Sequence, residues 1–320
     1  MRSWPGFRRG SSTKIGLHDG EVVTGVVADQ VLQVVDNDFR CDACPLCGAR
    51  RIRKVGEIPR LESVPYASIQ VRLMRDPELW HCLACASRFV RNSVREADSA
   101  RLYGSSNSGD RWRRNRPFHQ EKTAGVVRRV AQVCKAGETL LDVGCNTGDL
   151  LDFARSQGCV TYGIEFSGSV HPQLREKGHQ VIGDPLAEGE GYFDVITAFD
   201  LIEHLYDVNG FLKVCGRALR IGGKLVILTG DPGCVPARLA GGRWWYVAPP
   251  EHIVFPSRRF LSGLDGWRVA EWHRCYNSVA WVRPLLTAVR ANLSAAVHRR
   301  YNGHPSPWPD HVLAVLEKVG

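Results

Sequence analysis

The chain has 320 residues, enough for one large domain or one domain plus a small module, with an interior to match. A formal net charge of +9 favours anionic partners: a small-molecule substrate, nucleotide-linked or otherwise anionic, with nucleic acid as the alternative. No apolar run approaches the ~20 residues that span a bilayer, so no membrane partner is expected. Eleven cysteines, several in predicted buried strands, suit a reducing, cytoplasmic setting better than a disulfide scaffold.

In chain order, the Arg-rich start from Met1 to Lys14 lacks the apolar core of a secretory signal. Residues 1–40 form an N-terminal extension with strand-like alternation in Val22-Val23-Thr24-Gly25-Val26-Val27. A module over 41–103 follows. Its two C-x-x-C pairs, Cys44/Cys47 and Cys82/Cys85, each place two thiolates on a tight knuckle, so four sulfurs can converge on one zinc. Cys41 offers a second pairing with Cys44, and His81 could replace a cysteine, so the ligand set is open by one residue at each knuckle. Four thiolates leave no position for water, which makes this zinc structural.

Gly, Ser, Asn and Arg dominate 104–118, as in a linker or flap, and the run Arg111-Trp112-Arg113-Arg114-Asn115-Arg116 is the sharpest basic segment. The catalytic domain is expected over 119–320. Val126, Val127, Val130 and Val133 recur at helical spacing, and Gly137 closes that helix. Next, Leu140-Leu141-Asp142-Val143 breaks into Gly144-Cys145-Asn146-Thr147-Gly148 ahead of the apolar stripe Leu150, Leu151, Phe153 and Ala154. This pattern predicts strand, tight loop and helix, the arrangement at which open α/β sheets bind ligands. Gly144 and Gly148 stand four apart, unlike the G-x-G-x-x-G spacing of dinucleotide enzymes.

The run from Asp142 to Gly148 resembles the first motif of the class I S-adenosylmethionine-dependent methyltransferases, with Asn146 where the middle glycine usually stands. The resemblance implies an α/β, Rossmann-like seven-stranded sheet, six strands parallel and one antiparallel. It also implies that Asp142, Gly144, Cys145, Asn146 and Gly148 border S-adenosylmethionine. Glu165, ending the strand Val160-Thr161-Tyr162-Gly163-Ile164, matches the acid that accepts both ribose hydroxyls. Asp184, after a strand near His179 to Gly183, resembles the residue that receives the adenine amino group. Phe199 and Asp200, after the buried strand from Phe193, resemble the motif that passes the methionine end of the cofactor. Small zinc modules precede the catalytic domain in a subset of such enzymes that act on sugars and other natural-product intermediates, and the order here is similar.

A helix is expected to hold Phe211, Leu212, Cys215 and Leu219, followed by a strand at Lys224 to Thr229, another at Trp267 to Trp272 and a last at His311 to Leu316. An amphipathic insert is expected at 279–300. Arg243-Trp244-Trp245-Tyr246 and the Pro-bounded loop from Pro249 to Phe255 should lie over the sheet's carboxyl edge, as core plugs or as walls of an acceptor pocket. His204 and His252 are the candidate catalytic bases, since imidazole titrates near neutrality. Asp200, Glu203, His204 and His252 also resemble, in order and type, the set with which small-RNA 2′-O-methyltransferases hold a divalent metal. Two alternatives to a small-molecule methyltransferase therefore stand: an RNA 2′-O-methyltransferase with a divalent metal, and a non-catalytic zinc-dependent nucleic-acid-binding protein.

Overall fold

The computed structural model describes residues 24–27, 30–59, 63–66, 69–105, 130, 132–275 and 309–320. The N-terminal alternation yields an antiparallel pair, β1 (Thr24–Val27) and β2 (Gln30–Val35). Seven short strands follow: β3 (Phe39–Arg40), β4 (Ile52–Glu57), β5 (Val64–Tyr66), β6 (Ile69–Leu73), β7 (Glu78–Cys82), β8 (Arg88–Val90) and β9 (Asn92–Ser93). They make a four-stranded sheet in the order β1-β2-β6-β5, a β3-β9 pair, and most of a further sheet described below. A helix, Glu96–Ser105, ends this half, so the segment expected as linker from Gly104 begins inside its last turn. The basic run at 111–116, the insert at 279–300 and all but Val130 and 132–134 of the expected 119–134 helix lie outside the described residues.

The second half is a seven-stranded sheet. Its members are β10 (Thr139–Val143), β11 (Val160–Ile164), β12 (Gln180–Val181), β13 (Phe193–Phe199), β14 (Leu219–Gly230), and, after β15 (Val254–Phe255), β16 (Trp267–Cys275) and β17 (His311–Lys318). The order is β12-β11-β10-β13-β14-β17-β16. β17 runs antiparallel to both its neighbours, and the other six strands share one direction.

Both faces are covered, as a mostly parallel sheet requires. Leu141, Val143, Ile196, Ala198, Leu225 and Ile227 pack into one apolar cluster, while the residues beside them, Leu140, Val195, Val226 and Leu228, pack into the other. Each fully buried leucine here contributes roughly 1.5–3 kcal/mol. The helix Asp149–Ser156 covers one face through Leu150, Leu151 and Ala154, and the helix Val208–Ala218 covers the other through Phe211, Leu212 and Cys215. Leu219, expected within the latter helix, is instead its C-cap and the first residue of β14, with extended backbone.

The cysteine-bearing half is joined to the sheet half. β15 pairs with β8, giving a four-stranded antiparallel sheet in the order β15-β8-β7-β4 that draws strands from both. Cys44, Leu46, Cys82, Cys85 and Phe89 share an apolar cluster with Phe211, Val254 and Phe260. Buried Arg88 donates to the carbonyl of Ala237, and Asn209 Nδ2 donates to that of Leu46 at 2.8 Å. The loop from Trp244 to Phe255 is thereby fixed between the two halves.

Candidate active site

The loop after β10 opens the carboxyl edge of the sheet. Gly144 and Gly148 have φ of 81°, and Asn146 has φ of 48°, in the left-handed region that asparagine tolerates better than most side chains. Gly148 is obligatory for a second reason: a Cβ there would lie 2.6 Å from Leu174. The N–H groups of Gly144 and Cys145 donate to the carbonyl of Ile164 at 2.8 and 3.1 Å, which ties the loop to the end of β11.

Glu165 completes this junction. Its two carboxylate oxygens accept the backbone N–H of Asn146 at 2.9 Å and of Ser167 at 2.7 Å. Burial raises its pKa against these hydrogen bonds. Each oxygen retains a lone pair for a further donor. Asn146 Oδ1 is buried and has no hydrogen-bond partner, an acceptor that a bound donor group would satisfy. Glycine cradle, orphan acceptor and carboxylate at one strand end suit a nucleoside that carries an amine, as S-adenosylmethionine does.

Asp142 lies beneath the loop, only 5% exposed, and accepts a hydrogen bond from Thr197 Oγ1 at 2.7 Å. Burial pushes its carboxyl up to about 7. Cys145 is buried, and its Sγ would stand 2.7 Å from a Cβ at Gly163, so it packs against β11. Asp184 is half-buried, and its Oδ1 accepts the N–H of Leu186 at 2.9 Å. Phe199, half-buried, packs beside the second apolar cluster, and Asp200 follows it with φ of 47°. A left-handed aspartate at a strand end is a strained position of the sort that gathers at functional sites.

Beyond Asp200 the single turn Ile202–His204 carries Glu203 and His204. Glu203 is fully buried; Thr229 Oγ1 donates to its Oε2 at 2.9 Å, and Tyr246 Oη donates to its Oε1. Tyr246 Oη also reaches Asp200 Oδ1 at 3.4 Å. Burial raises the pKa of Glu203 and of Tyr246. Gly230 admits the tyrosine, since a Cβ there would sit 2.2 Å from its ring.

His204 and His252 meet edge to face, with ring centroids 4.7 Å apart. His204 Nδ1 lies 2.9 Å from the carbonyl of Glu251, and His252 Nδ1 lies 2.6 Å from that of Tyr246. A carbonyl only accepts, so each Nδ1 carries a proton. Burial and the neighbouring His204 lower His252 to about 3. Donor atoms of Glu203, His204 and His252 all lie within 4.8 Å of one another; Asp200 is not in this group.

A separate cluster gathers Cys44, Cys47, Cys82 and Cys85, their sulfurs within 4.8 Å of one another. Cys44 Sγ lies 3.7 Å from Cys85 Sγ, and Cys47 Sγ lies 3.5 Å from Cys82 Sγ. Four thiolates at ~2.3 Å around one zinc would stand ~3.8 Å apart, so the donor set fits that ion. The sulfur of Cys85 and burial push the Cys44 thiol up, while the Cys44 thiol holds Cys85 down at about 4. Cys41 and His81, the alternatives in the sequence, are not in the cluster.

Sequence reasoning missed Tyr246 and Thr229 as partners of Glu203. The aromatic run was visible, but the reach of one hydroxyl to a glutamate 43 residues away was not.

A mostly parallel sheet with a glycine loop after β10 and an acid ending the neighbouring β11 defines a Rossmann-like fold. Residues 112–264 match the family model described as a methyltransferase domain. Over that stretch the chain carries a methyltransferase domain, and its sheet has the order expected of the class I S-adenosylmethionine-dependent fold. It is 28% identical over 124 residues to a ubiquinone biosynthesis O-methyltransferase of Xanthomonas oryzae pv. oryzae, covering 36% of this chain and 52% of that one. A Bradyrhizobium protein of the same name is 32% identical over 108 residues, covering 30% and 41%. The chain spans about half the length of the curated relatives it matches. A chain of the solved complex between the Haloferax volcanii Trm112 methyltransferase activator and a methyltransferase shares the fold, with TM-score 0.50 and 16% identity over 66% of this chain and 94% of that one. Among the described residues no helix is long and apolar enough to cross a membrane.

Proposed function

We propose that the chain transfers a methyl group from S-adenosylmethionine to a small-molecule acceptor, a sugar or natural-product biosynthetic intermediate, in the cytoplasm. The observation that carries this reading is the His204 imidazole, its Nδ1 anchored on the carbonyl of Glu251 and its ring grouped with Glu203 and His252 past the end of β13. Gly144, Asn146, Gly148 and Glu165 would hold the cofactor, which supplies an activated methyl group when bound. The protein's part is to place the acceptor atom in line and take its proton. His252, held near 3, remains neutral and accepts protons poorly, so the base role falls to His204 and the orienting role to His252. The relatives' name, O-methyltransferase, supports a hydroxyl as the acceptor. Eleven free cysteines support a reducing compartment, and the four-sulfur cluster supports a structural zinc.

The test is methyl transfer from isotope-labelled donor to a panel of hydroxylated sugars and phenols, by wild type and His204→Gln. A fall in kcat of at least ~100-fold with unchanged cofactor affinity is expected; unchanged turnover would overturn the base assignment.

A second reading has one observation in its favour, the convergence of Glu203, His204 and His252, which suits a divalent metal in an RNA 2′-O-methyltransferase. Asp200, the fourth member of the expected set, is not in the group, which weighs against it. Metal analysis and a salt-dependent RNA gel shift separate the two, the latter also testing the non-catalytic nucleic-acid-binding alternative.

A further inference from the structure

A cleft of about 490 Å³ is lined by Asp231, Ser257, Arg258, Arg259, Trp272 and Arg274 among others. Three arginines face one aspartate, and that aspartate is committed. Asp231 Oδ1 accepts the N–H of Gly233 at 2.8 Å, its own N–H donates to the carbonyl of Asp310 at 2.9 Å, and its side chain is 4% exposed. Its Oδ2 takes Arg274 Nε at 2.8 Å, which fixes the guanidinium of a side chain that is 54% exposed and leaves its terminal nitrogens out of that bond. On the other wall Ser257 Oγ accepts the N–H of Phe260 at 3.1 Å and caps the short helix Arg258–Leu261. Arg258 and Arg259 stand exposed in its first turn, and among the described residues neither forms an ion pair with a carboxylate. Trp272, two residues before Arg274 on β16 and so on the same face, supplies an apolar wall.

Guanidinium forks match the oxygens of a phosphate, and a pre-oriented arginine loses less freedom on binding than a mobile one. The volume falls in the range of small-molecule sites. Two of the cleft's lining residues lie close in sequence to residues of the candidate site. Asp231 follows Thr229, which bonds Glu203, by two residues, and Ser257 follows His252 by five.

We propose that this cleft binds the phosphate or diphosphate end of the methyl acceptor, with Arg258, Arg259 and Arg274 gripping the phosphoryl oxygens and Trp272 covering the attached group. Binding there spends energy remote from the reacting atom to position it. The inference rests on the methyl-transfer reading for the cleft's role, but its test needs no turnover.

The experiment is calorimetry on the full chain, first saturated with S-adenosylhomocysteine, titrated with inorganic pyrophosphate and with uridine diphosphate, whose base is not adenine. Binding of both is expected, tighter for the nucleotide and weakening as salt rises. Arg259→Ala and Arg274→Ala are expected to weaken it about tenfold or more, and Trp272→Ala to weaken only the nucleotide. Circular dichroism checks that these exposed substitutions leave the fold intact. No pyrophosphate heat at low salt, or equal affinity in wild type and both arginine variants, would overturn the proposal. So would a single-stranded RNA that binds far more tightly than the diphosphate and is lost in the same variants. Failure to bind S-adenosylhomocysteine with pyrophosphate binding intact would instead remove the methyl-transfer reading and leave the anion site standing.

Discussion

Ser257 and Ser87 are joined across 170 residues: the backbone N–H of Ser257 donates to Ser87 Oγ at 3.0 Å, and Ser257 Oγ donates to the carbonyl of Cys85. One end of the loop that carries His252 is therefore tied to the second cysteine knuckle. β15 reinforces the tie, with Val254 opposite Phe89 and the N–H of Val90 donating to the carbonyl of Ile253 at 2.8 Å. The cysteine module thus braces the loop that carries His252.

Metal removal should therefore do more than loosen the N-terminal half. With a strong chelator, or in Cys47→Ser, zinc content, thermal midpoint and methyl transfer are expected to fall together, because a four-thiolate site supplies folding energy outright. Limited proteolysis should begin near Pro249–Phe255. Full activity in a metal-free protein would show that the brace holds without its ion.

Tyr246 offers a test inside the sheet half. Tyr246→Phe leaves Glu203 Oε1, in a fully buried residue, without its hydroxyl donor, at a cost of about 1–3 kcal/mol. The expected signature is a lower thermal midpoint and a lower kcat with S-adenosylhomocysteine affinity unchanged, read by denaturation, kinetics and calorimetry on one preparation. An altered cofactor affinity would place the tyrosine's influence on the other side of Asp200.

The strands were legible because each is an apolar run with a turn signal, whereas the place of β17 between β14 and β16 has no local pattern and was not read. The four sulfurs were legible because two knuckles of fixed spacing leave few ways to arrange them. What could not be read was long-range pairing. Nothing in Val254 and Phe255 says that they extend a sheet made of β8, β7 and β4, or that buried Arg88 reaches the carbonyl of Ala237. Such contacts depend on which surfaces meet after folding, which periodicity does not encode. The leucine that moved from helix to strand, Leu219, did so because apolar residues satisfy both periods at a junction.

Asp142 predicts a pH dependence of stability. Its ordinary value of 3.8 rises to about 7 in the folded state, so the fold binds the extra proton and the unfolded chain does not. Stability from this group is complete below 3.8 and is lost as pH rises through 7, about 4 kcal/mol in all. Asp142→Asn removes the loss while keeping an acceptor for Thr197. Against wild type it should gain about 3 kcal/mol between pH 5 and pH 8 in urea denaturation. A difference that does not vary with pH would mean that Asp142 is ionised in the native protein.

His252 has the opposite slope. Its folded value of about 3 lies below the ordinary 6.5, so the unfolded chain binds the extra proton. Stability from this group is complete above 6.5 and is lost as pH falls from there toward 3, roughly 3 kcal/mol by pH 4. Between 3.8 and 6.5 the contributions of Asp142 and His252 therefore nearly cancel, and together the two add little slope across that window. Single substitutions should uncover them separately: Asp142→Asn makes stability fall toward acid, and His252→Gln makes it rise toward acid. The double variant should return to the wild-type slope at a different absolute stability, since the effects of two separate side chains should add. Urea midpoints measured at half-unit steps from pH 4 to pH 7 decide it. A wild-type slope in that window unaltered by either substitution would mean that neither group titrates as its burial requires.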